Sequence, residues 1–500
     1  MRLSIRQRAK NLLQPGEGLY QRTVRGGAWV FALRITEQVF GIVRLIILAR
    51  VLAPNDFGLM GVALLAMMTL ETFSETGFQA ALIQKEENIK GYLDAAWTVS
   101  TLRGLVLFAV LFLIAPYAAI FFKAPVATPI IRVVGLAALL QGLTNIGVIY
   151  FQKELEFNKQ FLYMLSGTLA DFVVAVSAAL ILKSVWALVF GVLAANLVRL
   201  IVSYLIHPYR PHLSSDLGKA KELFGFGRWI LGSSILVFLV TQGDDIFVGK
   251  LLGVTLLGFY QMAYRISNAP ATEITHVISQ VTFPAYSKLQ DNLPGLREGY
   301  LKTLQLTAFI SIPLAAGIFI LAPEFTTIFL GDKWMPMVPA MQALALAGLM
   351  RSVAATAGYV FLGVGKPRID TRWQVIRLIV LGASIYPLTL QLGILGTSLA
   401  VCLSTLVSAI GFGFTVIEIT GCGIRSFSKM IGFPLMSGIV MALLIFALKA
   451  NVSTVGIWQF LLFVGLGILS CICITYLQDK FLNYKMRLLM VESLASLRGV

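Results

Sequence analysis

Apolar runs of roughly 20 residues recur along the whole chain, separated by short polar connections. This is the length that an α-helix needs to cross a bilayer, and the runs do not alternate polar and apolar residues as the strands of a membrane barrel do. The pattern predicts an all-α polytopic membrane protein with about 14 transmembrane helices. Their predicted limits are 27–52, 57–83, 93–121, 127–150, 161–183, 185–206, 225–252, 255–284, 300–322, 336–362, 370–391, 393–419, 428–449 and 455–477.

The first predicted helix and the turn after it return weakly two hundred positions later. Matching positions include Gly27, Trp29 and Gly58, which align without a gap with Gly227, Trp229 and Gly258. A second match links 185–198 to 394–407 at an offset of 209. Six predicted spans separate the two starts, so both copies have the same topology. The repeat therefore predicts two parallel six-helix lobes followed by two C-terminal helices.

Lysine and arginine concentrate in alternate connections. With the N-terminus placed inside, the inner segments hold about four times as many of these residues as the outer ones. This distribution predicts that both termini are cytoplasmic and that the number of spans is even. The predicted organisation is a cytoplasmic N-terminal segment 1–26, a first lobe 27–206, a cytoplasmic linker 207–224, a second lobe 225–420 and a region 421–500 that holds the last two spans and a cytoplasmic tail.

Composition supports the membrane assignment: 58% of the residues are hydrophobic and 13% are charged, against about 25% charged in globular proteins. The net charge of +16 fits basic loops beside anionic lipid better than a nucleic-acid partner. The four cysteines have neither metal-ligand spacing nor a disulfide context, so we expect no metal and no cofactor.

Charged residues inside the predicted spans are the main functional signal. Arg34, Glu37 and Arg44 fall within an arc of roughly 80° on the first helix. A charge at mid-bilayer costs at least ~2.5–3.5 kcal/mol, so such residues usually face a protein interior or a water-filled cavity. Arginine holds phosphate through a planar fork, whereas acidic residues suit a coupling proton or Na⁺. The structural alternative is an internal ion pair that locks two helices.

Four other spans carry candidates of the same kind. They are Glu71 and Glu75 in the second span, Asp244 and Asp245 in the seventh, Arg265, Glu273 and His276 in the eighth, and Arg351 in the tenth. Structural pairing between helices is again the alternative, as is snorkelling for residues near a helix end.

Five segments together resemble a known family. They are Leu48–Gly61, Gly243–Tyr264, Val281–Asp291, Gly331–Trp334 and Leu362–Arg368. In this order and spacing they resemble the polysaccharide transporter family, the flippases of lipopolysaccharide and exopolysaccharide repeat units. The likeness is greatest to its colanic-acid-type and teichuronic-type exporters. The family belongs to the multidrug/oligosaccharidyl-lipid/polysaccharide exporter superfamily.

The resemblance implies a transporter of the bacterial cytoplasmic membrane, not an enzyme, that moves undecaprenyl-diphosphate-linked oligosaccharide to the outer leaflet by alternating access. It implies a central cavity lined by the first, second, seventh and eighth spans. Functional association with a polymerase and with glycosyltransferases is expected. The implied diphosphate ligands are Arg34, Arg44 and Arg265. Ion coupling or charge pairing falls to Glu37, Asp244, Asp245 and Glu273, with Glu71, Glu75, His276 and Arg351 as lower-ranked cavity residues.

Two other functions remain open from the sequence. One is a cation-coupled drug or metabolite antiporter of the same superfamily, against which the number of spans and the arginine-rich cavity argue. The other is a membrane enzyme such as a repeat-unit polymerase or an acyltransferase. The longest predicted outer loop, 322–335, is too short to carry a catalytic domain.

Overall fold

In the structure, a computed structural model, all the regular elements in the described part of the chain are helices. It describes residues 19–75, 77–78, 82, 89–214, 216–450, 452, 456–482 and 484–490, with the backbone alone for 19–28, 217, 219–230, 233, 269–281 and 284. Most of the predicted N-terminal segment and the last ten residues of the tail lie outside the described residues.

The helices follow the apolar runs. They are α1 (Leu19–Val51), α2 (Pro54–Phe73), α3 (Lys90–Phe121), α4 (Ala127–Leu143), α5 (Ile149–Lys153), α6 (Phe157–Leu182), α7 (Trp186–Ile206), α8 (Leu217–Leu252), α9 (Val254–Lys288), α10 (Leu293–Phe325), α11 (Val338–Gly363), α12 (Pro367–Thr420), α13 (Ile424–Lys449) and α14 (Ile457–Leu482). A 3-10 turn (Ile146–Val148) precedes α5. A π turn (Thr326–Leu330) and a 3-10 turn (Asp332–Met337) join α10 to α11.

Long apolar helices confirm the prediction of a polytopic helical membrane protein. Within the described ranges, nine helices are long and apolar enough to cross a membrane, or ten when the bent pair of α4 with the 3-10 turn and α5 counts as one span. The predicted total of about 14 spans, and the side on which the termini lie, stay predictions.

Local sequence explains where several helices begin, bend and end. Proline stands at the start of α2 and α12, where its missing N–H is not needed. The Asp56 carboxylate accepts the Ala53 N–H at 2.9 Å at the start of α2. Within α12 the backbone turns at Gly393, with φ 59° and ψ −136°, a conformation that glycine adopts readily. This break confirms the predicted boundary between the spans 370–391 and 393–419.

The predicted span 127–150 is bent and is not a single straight helix. Helix α4 ends at Leu143, and the chain bends by 70° into Ile146–Lys153. The buried Asn145 fixes the bend, because its side chain accepts the Gly147 N–H at 2.9 Å and donates to the Tyr209 carbonyl at 2.7 Å. An asparagine that satisfies groups on both sides of the bend stabilises a broken helix over a straight one.

Two compact units divide the chain, and each is described by itself. The first contains the described residues up to Gln242 together with Gly249–Gly258, and the second contains Gly243–Val248 and the described residues from Phe259 onward. In the first unit, α6 packs along α7 and α3 along α4. In the second, α11 packs on α12, and α10 packs on α11 and α13. The stacked rings of Phe361 and Phe412, 5.5 Å apart, lie in the core of the second unit.

The segment after α7 is fastened to the first unit. The Asp94 carboxylate, near the start of α3, accepts the Tyr209 hydroxyl and, at 2.8 Å, the His212 N–H. One turn further along α3, the Thr98 hydroxyl accepts the Ser214 N–H at 2.9 Å. Residues 207–214, which we call the linker strap, therefore lie against α3, and α8 begins shortly after them at Leu217.

His207 holds the beginning of the linker strap. Its ring stacks on that of Tyr150, with 5.6 Å between centroids and 3° between planes. Its Nδ1 accepts the Tyr209 N–H at 3.2 Å. Burial, aided by the positive charge of Lys159, lowers the pKa of His207 below its ordinary value. The neutral imidazole is thus the form that fits this packing.

Candidate functional site

Arg44 on α1 is held by an acidic partner. Its Nη2 donates to Asp171 Oδ1 at 2.9 Å, and its Nε lies 2.8 Å from Asp171 Oδ2. The two side chains are 15% and 23% exposed, so the pair is largely removed from solvent. Since Asp171 lies on α6, the pair ties α1 to α6 across the first unit. Arg44 therefore forms an internal ion pair between two helices, which is the structural alternative that the sequence left open.

A third helix completes the surroundings of this pair. Gly191 on α7 faces it so closely that a Cβ there would lie 2.6 Å from Asp171 Oδ1 and 3.3 Å from Arg44 Nη2. Because a methyl group would displace the carboxylate, the hydrogen at this position is what lets Asp171 reach Arg44. Helices α1, α6 and α7 thus build one charged contact.

The other two site residues predicted on α1 lie in a different setting. Arg34 is exposed and Glu37 is half-buried. In the second unit, Arg265 on α9 is exposed as well. Both guanidinium groups are thus more exposed than that of Arg44.

Glu71 and Glu75 lie at and just after the end of α2, both half-buried. The predicted second span ran to residue 83, whereas α2 ends at Phe73. Arg103 of α3 explains that end, because its Nη2 donates to the Glu71 carbonyl at 2.8 Å and its Nε to the Ser74 carbonyl at 2.9 Å. The arginine takes up carbonyl groups that a helix end leaves unsatisfied.

Asp244, at 2% exposed, is the most buried of the predicted acidic residues with described side chains. Its Oδ2 accepts the Tyr260 hydroxyl at 2.6 Å, and its Oδ1 accepts the Asp245 N–H at 3.1 Å. The contact joins α8 to α9 within the second unit. Of the two adjacent aspartates, Asp244 is thus the one bound to a fully buried tyrosine.

Two arginines lie near this contact. Arg351 of α11 donates from Nη1 to the Tyr264 hydroxyl, and its guanidinium carbon lies 5.1 Å from the centre of that ring. Arg377 of α12 is 7% exposed and carries its charge among Arg351, Tyr264 and Asp244. We call Asp244, Asp245, Tyr260, Tyr264, Arg351 and Arg377 the buried charge cluster.

The structure brings some predicted residues together and separates others. It unites Asp244, Asp245 and Arg351 in the buried charge cluster. It pairs Arg44 with Asp171, a residue that was not among the predicted site residues. The side chains of Glu273 and His276 lie outside the described residues.

Arg377 was missed as a site residue. Its only signal was its type, an arginine within an apolar run. Its charged and tyrosine neighbours lie on α8, α9 and α11, and no periodicity along α12 reveals them.

Comparison with known sequences gives one family and several relatives. A family model described as "Polysaccharide biosynthesis protein" matches residues 47–339. The chain is 26% identical over 419 residues to the lipopolysaccharide biosynthesis protein WzxC of Escherichia coli K12, covering 83% of this chain and 85% of the relative. It is 23% identical over 400 residues to the succinoglycan biosynthesis transport protein ExoT of Rhizobium meliloti, covering 80% and 81%.

Comparison with solved structures identifies the fold. The structure of lipid II flippase MurJ in an inward closed conformation superposes with a TM-score of 0.75 at 13% identity, covering 90% of this chain and 98% of that one. At this level of identity the likeness establishes a shared helical architecture and leaves the chemistry to the residues themselves.

Proposed function

The chain belongs to the polysaccharide biosynthesis protein family, and from this membership we propose that it is a flippase for lipid-linked oligosaccharides. The observation that carries the proposal is the family match over 47–339, together with relatives named for lipopolysaccharide biosynthesis and succinoglycan transport. The fold shared with a lipid II flippase supports the same class of substrate, a glycan on a lipid carrier.

The finer proposal concerns substrate and setting. The substrate is an undecaprenyl-diphosphate-linked repeat unit, and the membrane is the bacterial cytoplasmic membrane. The chain crosses it about 14 times with both termini in the cytoplasm. It works by alternating access, requires no cofactor, and acts in sequence with glycosyltransferases and a polymerase. Transport is coupled to H⁺ or Na⁺.

Arg34, Arg44 and Arg265 are the proposed ligands of the diphosphate. Guanidinium groups bind phosphate oxygens through paired N–H donors and keep their charge at all physiological pH values. Arg34 and Arg265 are exposed, which favours them for first contact with the substrate. Arg44 already forms an ion pair with Asp171. To bind the diphosphate, Arg44 must either leave this pair or bind the phosphate with Asp171 still beside it.

The acidic candidates serve coupling or charge pairing. Glu37 and Asp244 lie in different units, and Asp244 is the better shielded of the two. In a buried carboxylate that accepts a hydrogen bond from a tyrosine hydroxyl, burial and that hydrogen bond determine whether the proton is held or released. Asp245, Glu273, Glu71, Glu75, His276 and Arg351 stay as further candidates for this role.

Complementation of a deletion strain tests the function. The wild-type chain is expected to restore surface polysaccharide and to clear lipid-linked oligosaccharide from the inner leaflet. An Arg34→Ala/Arg44→Ala double variant, and an Arg34→Ala/Arg265→Ala variant, should fail at normal expression. Arg372→Ala, which removes an exposed arginine from α12, is the matched control and should complement.

Two results would contradict the proposal. Full complementation by both double variants would show that Arg34, Arg44 and Arg265 are not the ligands of the diphosphate. Normal surface polysaccharide in the deletion strain, combined with increased drug sensitivity, would favour the antiporter instead. The antiporter is the weaker alternative, because the matched family and the relatives are named for polysaccharide biosynthesis.

A further inference from the structure

A short segment that follows α14 is fastened to the second unit. We call residues 484–490 the tail segment. The buried Gln305 of α10 donates from Nε2 to the Tyr484 carbonyl at 2.8 Å. The Tyr484 ring lies edge-on to the ring of Phe433 on α13, with 5.0 Å between centroids, and Met486 is fully buried in the same hydrophobic cluster. The tail segment therefore has a fixed place beside α10 and α13.

The carboxylate of Asp479, near the end of α14, also holds the tail segment. One of its oxygens accepts the Met486 N–H at 2.9 Å, and the other accepts the Arg487 N–H at 2.7 Å. In the sequence of 424–435 and 476–490, Asp479 is the one acidic residue beside five basic ones. Because both of its oxygens accept backbone N–H groups, the surface formed by these stretches keeps a large excess of positive charge.

The five basic residues come from three neighbouring elements. They are Arg425 and Lys429 in α13, Lys480 in α14, and Lys485 and Arg487 in the tail segment. The Nζ of Lys429 lies 5.3 Å from the centre of the Phe433 ring, and Gln478 of α14 donates to the Phe433 carbonyl at 3.0 Å. The Phe433 ring also contacts that of Tyr484, the chain neighbour of Lys485. Phe433 thus joins the three elements, and we call their five basic residues the basic surface.

Large apolar side chains are exposed beside the basic surface. Phe481 is 70% exposed and Leu488 is 55% exposed. Helix α14 has 26 residues and is therefore about 39 Å long, whereas the hydrocarbon core of a bilayer is about 30 Å thick. The end of this apolar helix thus reaches the headgroup region, where acyl chains cover apolar side chains and phosphate groups lie near basic ones.

We propose that the basic surface binds the headgroup of an anionic phospholipid. The paired N–H groups of Arg487 suit the phosphate oxygens, and the lysines add positive charge around them. Phe481 and Leu488 contact the acyl chains. The place of this surface at the end of a membrane-spanning helix favours a lipid over a soluble partner. The proposal involves none of the candidate diphosphate ligands and does not depend on the proposed function.

Native mass spectrometry of the full chain in detergent tests the proposal. Phosphatidylglycerol and phosphatidylcholine with the same acyl chains are titrated separately, and the bound lipids are counted. The wild type should retain phosphatidylglycerol at concentrations at which phosphatidylcholine is lost. The variant Lys480→Gln/Lys485→Gln/Arg487→Gln should bind phosphatidylglycerol about tenfold to a hundredfold more weakly, because each basic residue near an anionic headgroup strengthens binding about fivefold.

A second triple variant is the matched control. Lys366→Gln/Arg368→Gln/Arg372→Gln removes the same charge from exposed residues around the start of α12 and should bind phosphatidylglycerol as the wild type does. Equal weakening in the two triple variants would overturn the proposal, because it would show attraction to the net charge of the chain and not to this surface. Equal binding of the two lipids by the wild type would overturn it as well. Full competition by millimolar inorganic phosphate would do the same and would indicate a site for the free ion.

Asp479→Ala separates the geometry of the surface from its charge. This variant removes one negative charge, but it also removes both acceptors that hold the tail segment. If the fixed tail segment is needed, Asp479→Ala should bind phosphatidylglycerol several-fold more weakly than the wild type does. Stronger binding by Asp479→Ala would show that charge alone governs the interaction and would overturn the proposal of a built headgroup site.

Discussion

Gly58 and Gly258 face each other in a contact that leaves no room for a side chain on either. A Cβ on Gly58 would lie 1.7 Å from the Val254 carbonyl oxygen, and a Cβ on Gly258 would lie 2.1 Å from the Pro54 carbonyl oxygen. Each glycine thus packs against the first residue of the helix that contains the other glycine. The two residues are two hundred positions apart, which is the offset of the sequence repeat.

A side-chain hydrogen bond joins a second pair of residues at the same offset. The Thr255 hydroxyl donates to Asn55 Oδ1 at 3.1 Å, again across two hundred positions. Equivalent residues of the two copies therefore contact each other directly, at the start of α2 and the start of α9. This reciprocal contact lies within the first unit, to which all four residues belong.

We expect Gly58→Ala and Gly258→Ala to destabilise the protein. Either methyl group would overlap a backbone carbonyl, and overpacking of this kind costs about 1–3 kcal/mol or more. Unfolding in detergent, followed by thermal or denaturant titration, measures the loss. Gly382→Ala on α12 is the control, because a Cβ there meets nothing within 4 Å. An unchanged midpoint for both contact variants would mean that the helices separate freely at this point.

Charge exchange at Arg44 and Asp171 separates a structural role from a substrate role. Each single neutral variant, Arg44→Gln or Asp171→Asn, leaves one largely buried charge unpaired and should lower stability by about 1–3 kcal/mol. The exchanged pair Arg44→Asp/Asp171→Arg should recover much of that stability. If Arg44 also binds diphosphate, the exchanged protein will fold and still fail to restore surface polysaccharide. Recovery of both stability and transport would assign Arg44 to the ion pair alone.

Gly191→Ala should weaken the same ion pair from the side of α7. The added methyl group would lie 2.6 Å from Asp171 Oδ1, so the carboxylate must move away from Arg44. In a Gly191→Ala background, Asp171→Asn should therefore cost less stability than it does in the wild type. A double-mutant cycle measures this difference. Strictly additive effects would show that Gly191 and Asp171 act independently, and Gly432→Ala on α13, with open space around it, serves as the control.

Acid should loosen the linker strap at His207. The folded protein lowers the pKa of this imidazole, so its contribution to stability is present above the ordinary value of about 6.5 and is lost as the pH falls below it. Protonation also removes Nδ1 as the acceptor of the Tyr209 N–H. Hydrogen exchange of residues 207–214, corrected for intrinsic rates, should rise between about pH 7 and pH 5. His207→Phe keeps a ring on Tyr150 and should abolish this pH dependence, and a wild-type profile in that variant would assign the effect to another group.

Sequence reasoning succeeded where the information is local or periodic. Apolar runs predicted the helices, the family resemblance is confirmed by the match over 47–339, and glycine separated the two spans of α12 at 393. Reasoning of this kind failed where a distant partner decides the outcome. The bend after Leu143 depends on a hydrogen bond from Asn145 to a carbonyl in the linker strap, 64 positions away.

The candidate site shows the same limit. Spacing along α1 predicted that Arg44 lies on a polar face, but it could not identify Asp171, 127 positions later, as its partner. Likewise, no pattern along α12 indicated that Arg377 would be buried, at 7% exposed. The proposed diphosphate ligands remain a prediction, since the exposure of Arg34 and Arg265 shows access and not occupancy.

The first unit includes Gly249–Gly258, a segment that is synthesised after the rest of that unit. This order has a consequence for biosynthesis. When α7 has left the ribosome, the glycine face of α2 at Gly58 still lacks its partner, which lies about 50 residues downstream. At ordinary translation rates the gap amounts to roughly 3–10 s, during which an unfilled helix surface is open to lipid or to an insertion chaperone. A nascent chain arrested within α8 is therefore an unfinished first unit, and quality-control proteases should recognise it as such.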